Sequence, residues 1–341
     1  MMPDFSNLID LAAERVGGAV LFANDDFFAP KENLLKASAP VFVEGKYTER
    51  GKWMDGWESR RRRTPGFDWC LIRLGLPGRV RGVVVDTSFF RGNYPESCSL
   101  EACAAEGNAT VEELTGEGVE WVEILPPSRL QGDSLNPFAV SSNERFTHLR
   151  FKIYPDGGVA RLRIHGEVLP DWGRIKRAGG LVDLASVEQG GLVVATSDEF
   201  FGGRQNLIMP GRAADMSDGW ETKRRRGPGH DWCVVRLGAA GRVVRVEVDT
   251  SHFKGNYPES CSLEAACAPE GTGDMGESVN DIAALDSLSW RELLPRTRLQ
   301  AHTRHFFEEE LQDAGTATHA RFQIFPDGGV SRLRLYGTIL D

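Results

Sequence analysis

No run of eighteen consecutive apolar residues occurs anywhere in this 341-residue chain, which removes the usual signature of a membrane-spanning helix. The N-terminus lacks a basic region leading into an apolar stretch, so nothing reads as an export signal and the expected location is cytoplasmic. Basic residues are also in deficit. The 40 Lys and Arg against 49 Asp and Glu leave a formal charge of -9. Nucleic acid is therefore not an expected partner, because neutralising phosphates takes a net basic face, and a membrane is not expected either. Cysteine is scarce, at six residues, and no CxxC pair occurs. A reducing compartment disfavours disulfides. Cys70 and Cys98 lie in strand-like surroundings and read as buried free thiols.

What the chain does have is a sentence written twice. VDTSFFRGNYPESCSLEA at 85–102 returns as VDTSHFKGNYPESCSLEA at 248–265, with two differences. LIDLAAERVGG (8–18) pairs with LVDLASVEQGG (181–191). DGWESRRRRTPGFDWC (55–70) pairs with DGWETKRRRGPGHDWC (218–233), and HLRFKIYPDGGVARLRIHG (148–166) with HARFQIFPDGGVSRLRLYG (319–337). The offset between copies changes only between matched blocks, as expected when loops vary and elements recur. Two domains follow, 1–169 and 177–341, each long enough for its own core. Two copies are too few for a solenoid.

Most recurring blocks read as short strands. In LRFKIY, Leu149, Phe151 and Ile153 alternate with Arg150 and Lys152, and after PDGG the apolar positions Ala160, Leu162 and Ile164 repeat the alternation. The pair predicts a hairpin closed by a Gly-rich turn. SNLIDLAAERV (6–16) and its counterpart before Gly190 are the segments with helical character. The fold expected is all-β: two tandem antiparallel β-sandwiches, as in a jelly roll.

DGWE followed by an arginine run, then PGxDW, VDTSxFxGNYPES and PDGGVxRLR, in order and in duplicate, resembles the allantoicase family over nearly the whole chain. The resemblance implies a pair of jelly-roll domains related to galactose-binding modules. It also implies hydrolysis of allantoate to ureidoglycolate and urea in purine catabolism. Site residues come from the chemistry of that substrate, which carries one carboxylate and two ureido groups on a single carbon. An arginine fork suits the carboxylate, and the departing nitrogen needs an acid or base.

The arginine runs 60–63 and 224–226 offer the clamp, with Arg62, Arg225 and Arg226 as candidates; solvated surface charge is the plain alternative. Glu58 and Glu221 read either as salt-bridge partners of those arginines or as site carboxylates. Asp86 and Asp249 end apolar strands and either cap the following turn or bind ureido nitrogens. Asn93 and Asn256 shape a turn or touch the ligand. Asp156-Gly157-Gly158 and Asp327-Gly328-Gly329 read as turn chemistry outside the site.

The copies differ at three telling positions: Phe67 is His230, Phe89 is His252 and Arg91 is Lys254. Imidazole titrates near neutrality and phenyl does not. His230 and His252, with Glu221 and Asp249, are thus expected to carry proton transfer in the second copy, with Lys254 and Asn256 binding substrate. No cofactor is required by the spacing, and a divalent metal stays possible; His302 and His305 in HTRH have no matching His pair in the first copy. A homo-oligomer is expected. The alternative function is a non-catalytic tandem ligand- or carbohydrate-binding module. A metal-dependent release of ammonia would need a clear ligand set, which the sequence lacks.

Overall fold

The structure is a computed structural model that describes residues 3–105, 109–269 and 282–340. The chain divides into two units, Met1–Pro170 and Asp171–Asp341.

The first unit is organised by one strand of 19 residues, Asp68–Asp86. Its first half pairs with Ala19–Ala23 and Phe146–Tyr154, its second half with Leu135–Ala139 and Arg161–Val168. Ser97–Cys103 joins Phe146–Tyr154, Val122–Arg129 follows it, and Ile9–Asp10 closes the other edge on Arg161–Val168. All pairings are antiparallel. From Arg73 to Gly82 the long strand alternates half-exposed and buried residues, the pattern of a strand with one face on a core. A register shift opposite Arg73 and Gly78 marks where it changes partners, which is how one strand can serve both layers of a sandwich. The second unit repeats the plan around Asp231–Asp249, with Leu192–Thr196, Ala317–Phe325, Arg304–Phe307 and Arg332–Ile339 as its partners. Each core is anchored by a fully buried tryptophan, Trp57 against Phe151 and Trp220 against Phe322.

Two local expectations are corrected. Phe146–Tyr154 and Arg161–Val168 do not form a hairpin: each pairs with a different half of the long strand, and the intervening Gly158–Val159 pairs with Trp57–Glu58. The segment 6–16 is not a helix. Asp4–Asn7 and Glu14–Val16 are short 3-10 turns flanking the strand Ile9–Asp10. The Asp10 carboxylate accepts Ala12 N–H at 3.2 Å and Ile164 N–H at 3.0 Å, and Leu11 N–H goes to Ile164 O at 2.7 Å. These bonds satisfy the backbone outward, against the sheet, and leave a helix no role. Trp172–Ala178 is a helix, capped by Asp171. Five cysteines are buried and Cys267 is exposed; all six are free. Among the described residues no helix is long and apolar enough to cross a membrane.

Candidate active site

Glu58 sits in a two-residue strand whose main chain is held on both sides. Its partner across one edge is Gly158, and across the other is Ala29, whose N–H and C=O both bond Glu58. With the backbone fixed, the side chain has one direction to leave, and there it meets Asn93: the Asn93 amide Nδ2 donates to Glu58 Oε1 at 2.7 Å. Asn93 is itself pinned, because its carbonyl accepts Gly158 N–H at 2.8 Å. The two glycines make this approach possible. Gly157 has φ +139°, and a Cβ there would lie 2.8 Å from the Asn93 carbonyl; at Gly158 it would lie 1.9 Å from the buried Phe90 ring. The PDGG step is therefore the support of the asparagine loop. The second copy repeats every part, with Asn256 bonded to Glu221, Gly329 N–H on the Asn256 carbonyl at 2.8 Å, and Gly329 against Phe253.

Burial pushes the Glu58 carboxyl above the usual carboxylate range, and the Asn93 bond offsets that only in part. A half-buried carboxyl with a raised pKa and a fixed amide neighbour is suited to passing a proton.

Of the two readings of Glu58 and Glu221, pairing with the arginines is not what the structure shows among the described residues. Arg62 Nη1 binds Asp68 Oδ1 at 2.6 Å, its N–H goes to Asp156 Oδ2 at 2.9 Å, and Arg225 likewise takes Asp231 and, at 2.8 Å, Asp327. Arg60 and Lys223 take Asp25 and Asp198. The carboxylates of PGxDW lie farther along the chain, six residues against four, but are almost wholly buried, so they have the greater need of a cation. Arg225 still lines a cavity of about 280 Å³ with Ser197, Asp198, Lys223, Arg224 and Asp231. Arg226 is exposed, as is Lys254.

Asp86 and Asp249 cap turns: each accepts an N–H at 2.8 Å, from Ser88 and Ser251. His230 packs its ring 4.7 Å from Phe325, as Phe67 does on Tyr154, and opens on a cavity of about 570 Å³ that Trp232, Glu264, Trp290, Arg321 and Gln323 also line. His252 Nε2 bonds the Ala213 carbonyl at 3.0 Å. Among the described residues neither histidine bonds Glu221, Asp249 or Asn256. The structure thus joins Glu58 to Asn93 and Glu221 to Asn256, and keeps the histidines, aspartates and Arg62 and Arg225 on other partners. Also among the described residues, no three His, Cys, Asp or Glu side chains are placed to hold a metal.

A buried pair that sequence reasoning passed over holds the Glu58 strand in place. Arg161 binds Asp55 at 2.7 Å and donates to the Asp55, Ala160 and Ser38 carbonyls; Arg332 and Asp218 do the same in the second copy. Its signal was present: both members are identical in the two copies, Asp in DGWE and the first Arg of RLR.

The family described as the allantoicase repeat matches residues 9–169 and 182–340. A protein named probable allantoicase from Photobacterium profundum is 48% identical over 338 residues, covering 98% of this chain and 97% of its own. One of the same name from Pseudomonas paraeruginosa is 48% identical over 334 residues, covering 98% and 96%. The crystal structure of allantoicase from Saccharomyces cerevisiae superposes with a TM-score of 0.78 at 34% identity, covering 97% of this chain and 93% of that one. A second allantoicase structure gives 0.80 at 33%, covering 97% and 94%. The chain belongs to the allantoicase family.

Proposed function

We propose that this protein hydrolyses allantoate to ureidoglycolate and urea, and that the Glu58–Asn93 and Glu221–Asn256 pairs, one per copy, carry its proton chemistry. The observation that supports the reaction most is the family match through both copies from end to end. The pairs support the mechanism because they are built alike twice, from three separate segments each. In the reaction, the bond from the central carbon to one ureido nitrogen breaks while the other ureido group lends its electrons to that carbon. The protonated glutamic acid donates to the departing nitrogen, which leaves in urea. Water then adds to the carbon, and its proton returns to the glutamate. The asparagine amide holds the carboxyl in one orientation throughout. Such positioned acid and base work contributes about 100- to 10,000-fold, or some 3–5 kcal/mol of barrier. The cations around the 280 Å³ cavity, with Arg225 and Arg224 foremost, suit the substrate carboxylate.

Asn93, Asn256, Arg225, Arg226 and Lys254 serve binding in this reading, and Asp86 and Asp249 shape the loop that presents the asparagines. The chain works in the cytoplasm, which its six unpaired cysteines support. It forms a homo-oligomer, supported by Phe200 and Phe201, which are 70% and 61% exposed. Purified protein given allantoate should release one equivalent of urea without ammonia. No urea, with saturable binding of sugars instead, would replace the enzyme by the tandem binding module.

A further inference from the structure

The HTRH turn of the second copy takes no part in the proposed chemistry, yet it holds the loop that carries Asn256. His302 Nδ1 accepts the His252 main-chain N–H at 2.7 Å, and His305 Nε2 accepts the Gln300 N–H at 2.8 Å. An imidazole nitrogen that accepts from an N–H carries no proton itself, so both rings hold at least one bare nitrogen whichever tautomer is drawn. His305 Nδ1, 3.1 Å from the Val248 carbonyl, is then the protonated nitrogen of its ring.

The first copy meets the same two demands differently. Phe89 N–H goes to Asp133 Oδ1 at 2.7 Å, and Gln131 N–H goes to Asn136 Oδ1 at 2.8 Å. The backbone is unchanged between the copies: φ is 70° at Phe89 and 71° at His252, and 51° at both Asp133 and His302. Left-handed geometry at a residue other than glycine persists only when neighbours hold it, and the accepted N–H is part of that hold.

We infer that the second copy carries a proton-sensitive latch: protonating His302 and His305 removes both acceptors, frees the 250–256 loop and loosens Asn256 from Glu221, while the first copy, latched by Asp133 and Asn136, keeps its site. The charged and titratable groups on the three segments packed here are Asp249, His252 and Lys254 on the loop, Arg212 and Asp215 on the segment supplying Ala213, and Arg304 beside the two histidines. Asp249 is occupied by Ser251 N–H, Arg304 by Glu247 at 2.7 Å, and Arg212 reaches Ser251 at 3.2 Å. His252 packs its ring 5.7 Å from that of His302, so a proton on one disfavours a proton on the other.

The loss of activity rests on the allantoicase reading, and the loss of loop order does not. Hydrogen exchange of the intact protein, corrected for intrinsic rates, tests the latch without substrate. Between pH 7.5 and 5.5 the His252 and Gln300 amides should lose protection by about fivefold or more, the worth of one hydrogen bond. Replacing His302→Asp and His305→Asn together imports the first copy's acceptors and should make protection level across that range. Kinetics in the Glu58→Gln background, where the second copy works alone, should then show an acid fall in kcat that the double replacement moves to lower pH. Equal protection at both pH values in the natural chain, or equal loss in the replaced chain, overturns the latch. A level kinetic profile with pH-dependent exchange keeps the latch and refutes the reading that Glu221–Asn256 is catalytic.

Discussion

Replacing Glu58 and Glu221 by Gln separates catalysis from architecture. Glutamine keeps an oxygen where Oε1 stood, so the Asn93 and Asn256 amides keep their acceptor; only the proton that moves is lost. For Glu58 the consequence for stability follows from its raised pKa. Burial opposes its charge more than the Asn93 bond favours it. A carboxyl whose folded value lies above the ordinary 4.5 binds its proton more tightly in the native state. Its stabilising contribution is complete below that ordinary value and is lost as pH rises through the folded one. Above the ordinary value folding therefore works against the Glu58 carboxyl, and Glu58→Gln should raise stability at neutral pH by about 0.5–1 kcal/mol, as relief of a strained position does. For a unit of this size that is about 1–4 °C in Tm. The gain should vanish at pH 4, where Glu58 is already protonated. Urea release at saturating allantoate supplies the other arm. The double replacement should lose about 100-fold or more in kcat, while either single replacement keeps about half, each copy holding a complete pair. Glu58→Ala is the contrast, since it leaves the Asn93 amide without an acceptor and should lower Tm. Wild-type turnover in the double variant, or a Tm below wild type for Glu58→Gln at neutral pH, would refute the reasoning.

Gly158→Ala should cost about 2 kcal/mol or more and silence the first copy, because its methyl would sit 1.9 Å from the fully buried Phe90 ring; thermal melts and urea release check both. Asp55→Ala strands the buried Arg161 cation and should cost about 3–5 kcal/mol. Adding Arg161→Met should recover much of that loss in the same melts. His230→Asn and His252→Asn should each hold turnover within about threefold of wild type, against the 100-fold or more that loss of a catalytic acid or base brings; a larger fall with an unchanged Tm would return the histidines to the site.

The all-β fold and the duplication were legible because alternation and repeated words survive without any knowledge of contacts. Strand partners were not. Phe146–Tyr154 and Arg161–Val168 look like a hairpin because only their own residues are visible in the sequence, and the 19-residue strand that separates them pairs with both from far away. Segment 6–16 misled for a related reason: its apolar spacing suits a helix, but the Asp10 carboxylate takes the Ala12 amide and the distant Ile164 carbonyl takes that of Leu11. Of the site, Glu58 and Asn93 were both visible as candidates. Their partnership was not, since 35 residues separate them and it depends on Gly158, whose role appears only when its missing Cβ is measured against Phe90. That Arg62 and Arg225 pair with Asp68 and Asp231 and not with the glutamates nearer in sequence was not legible, because the deciding quantity is the burial of those aspartates.

The differences between the copies need the same distinction between a side chain's chemistry and the demand it meets. Phe89 and His252 suggest a gain of catalytic function if only the rings are compared. In the fold they share one backbone conformation, and what matters is the acceptor facing their N–H, Asp133 in one copy and His302 in the other. At neutral pH a carboxylate and a bare imidazole nitrogen both meet that demand, so the motifs around them could stay fixed while the acceptor changed. They part company only in acid, where the carboxylate still accepts and the imidazole does not. Duplication therefore left two copies that share one frame, the Glu–Asn pair on its PDGG support, and differ in the side chains that hold the loop above it.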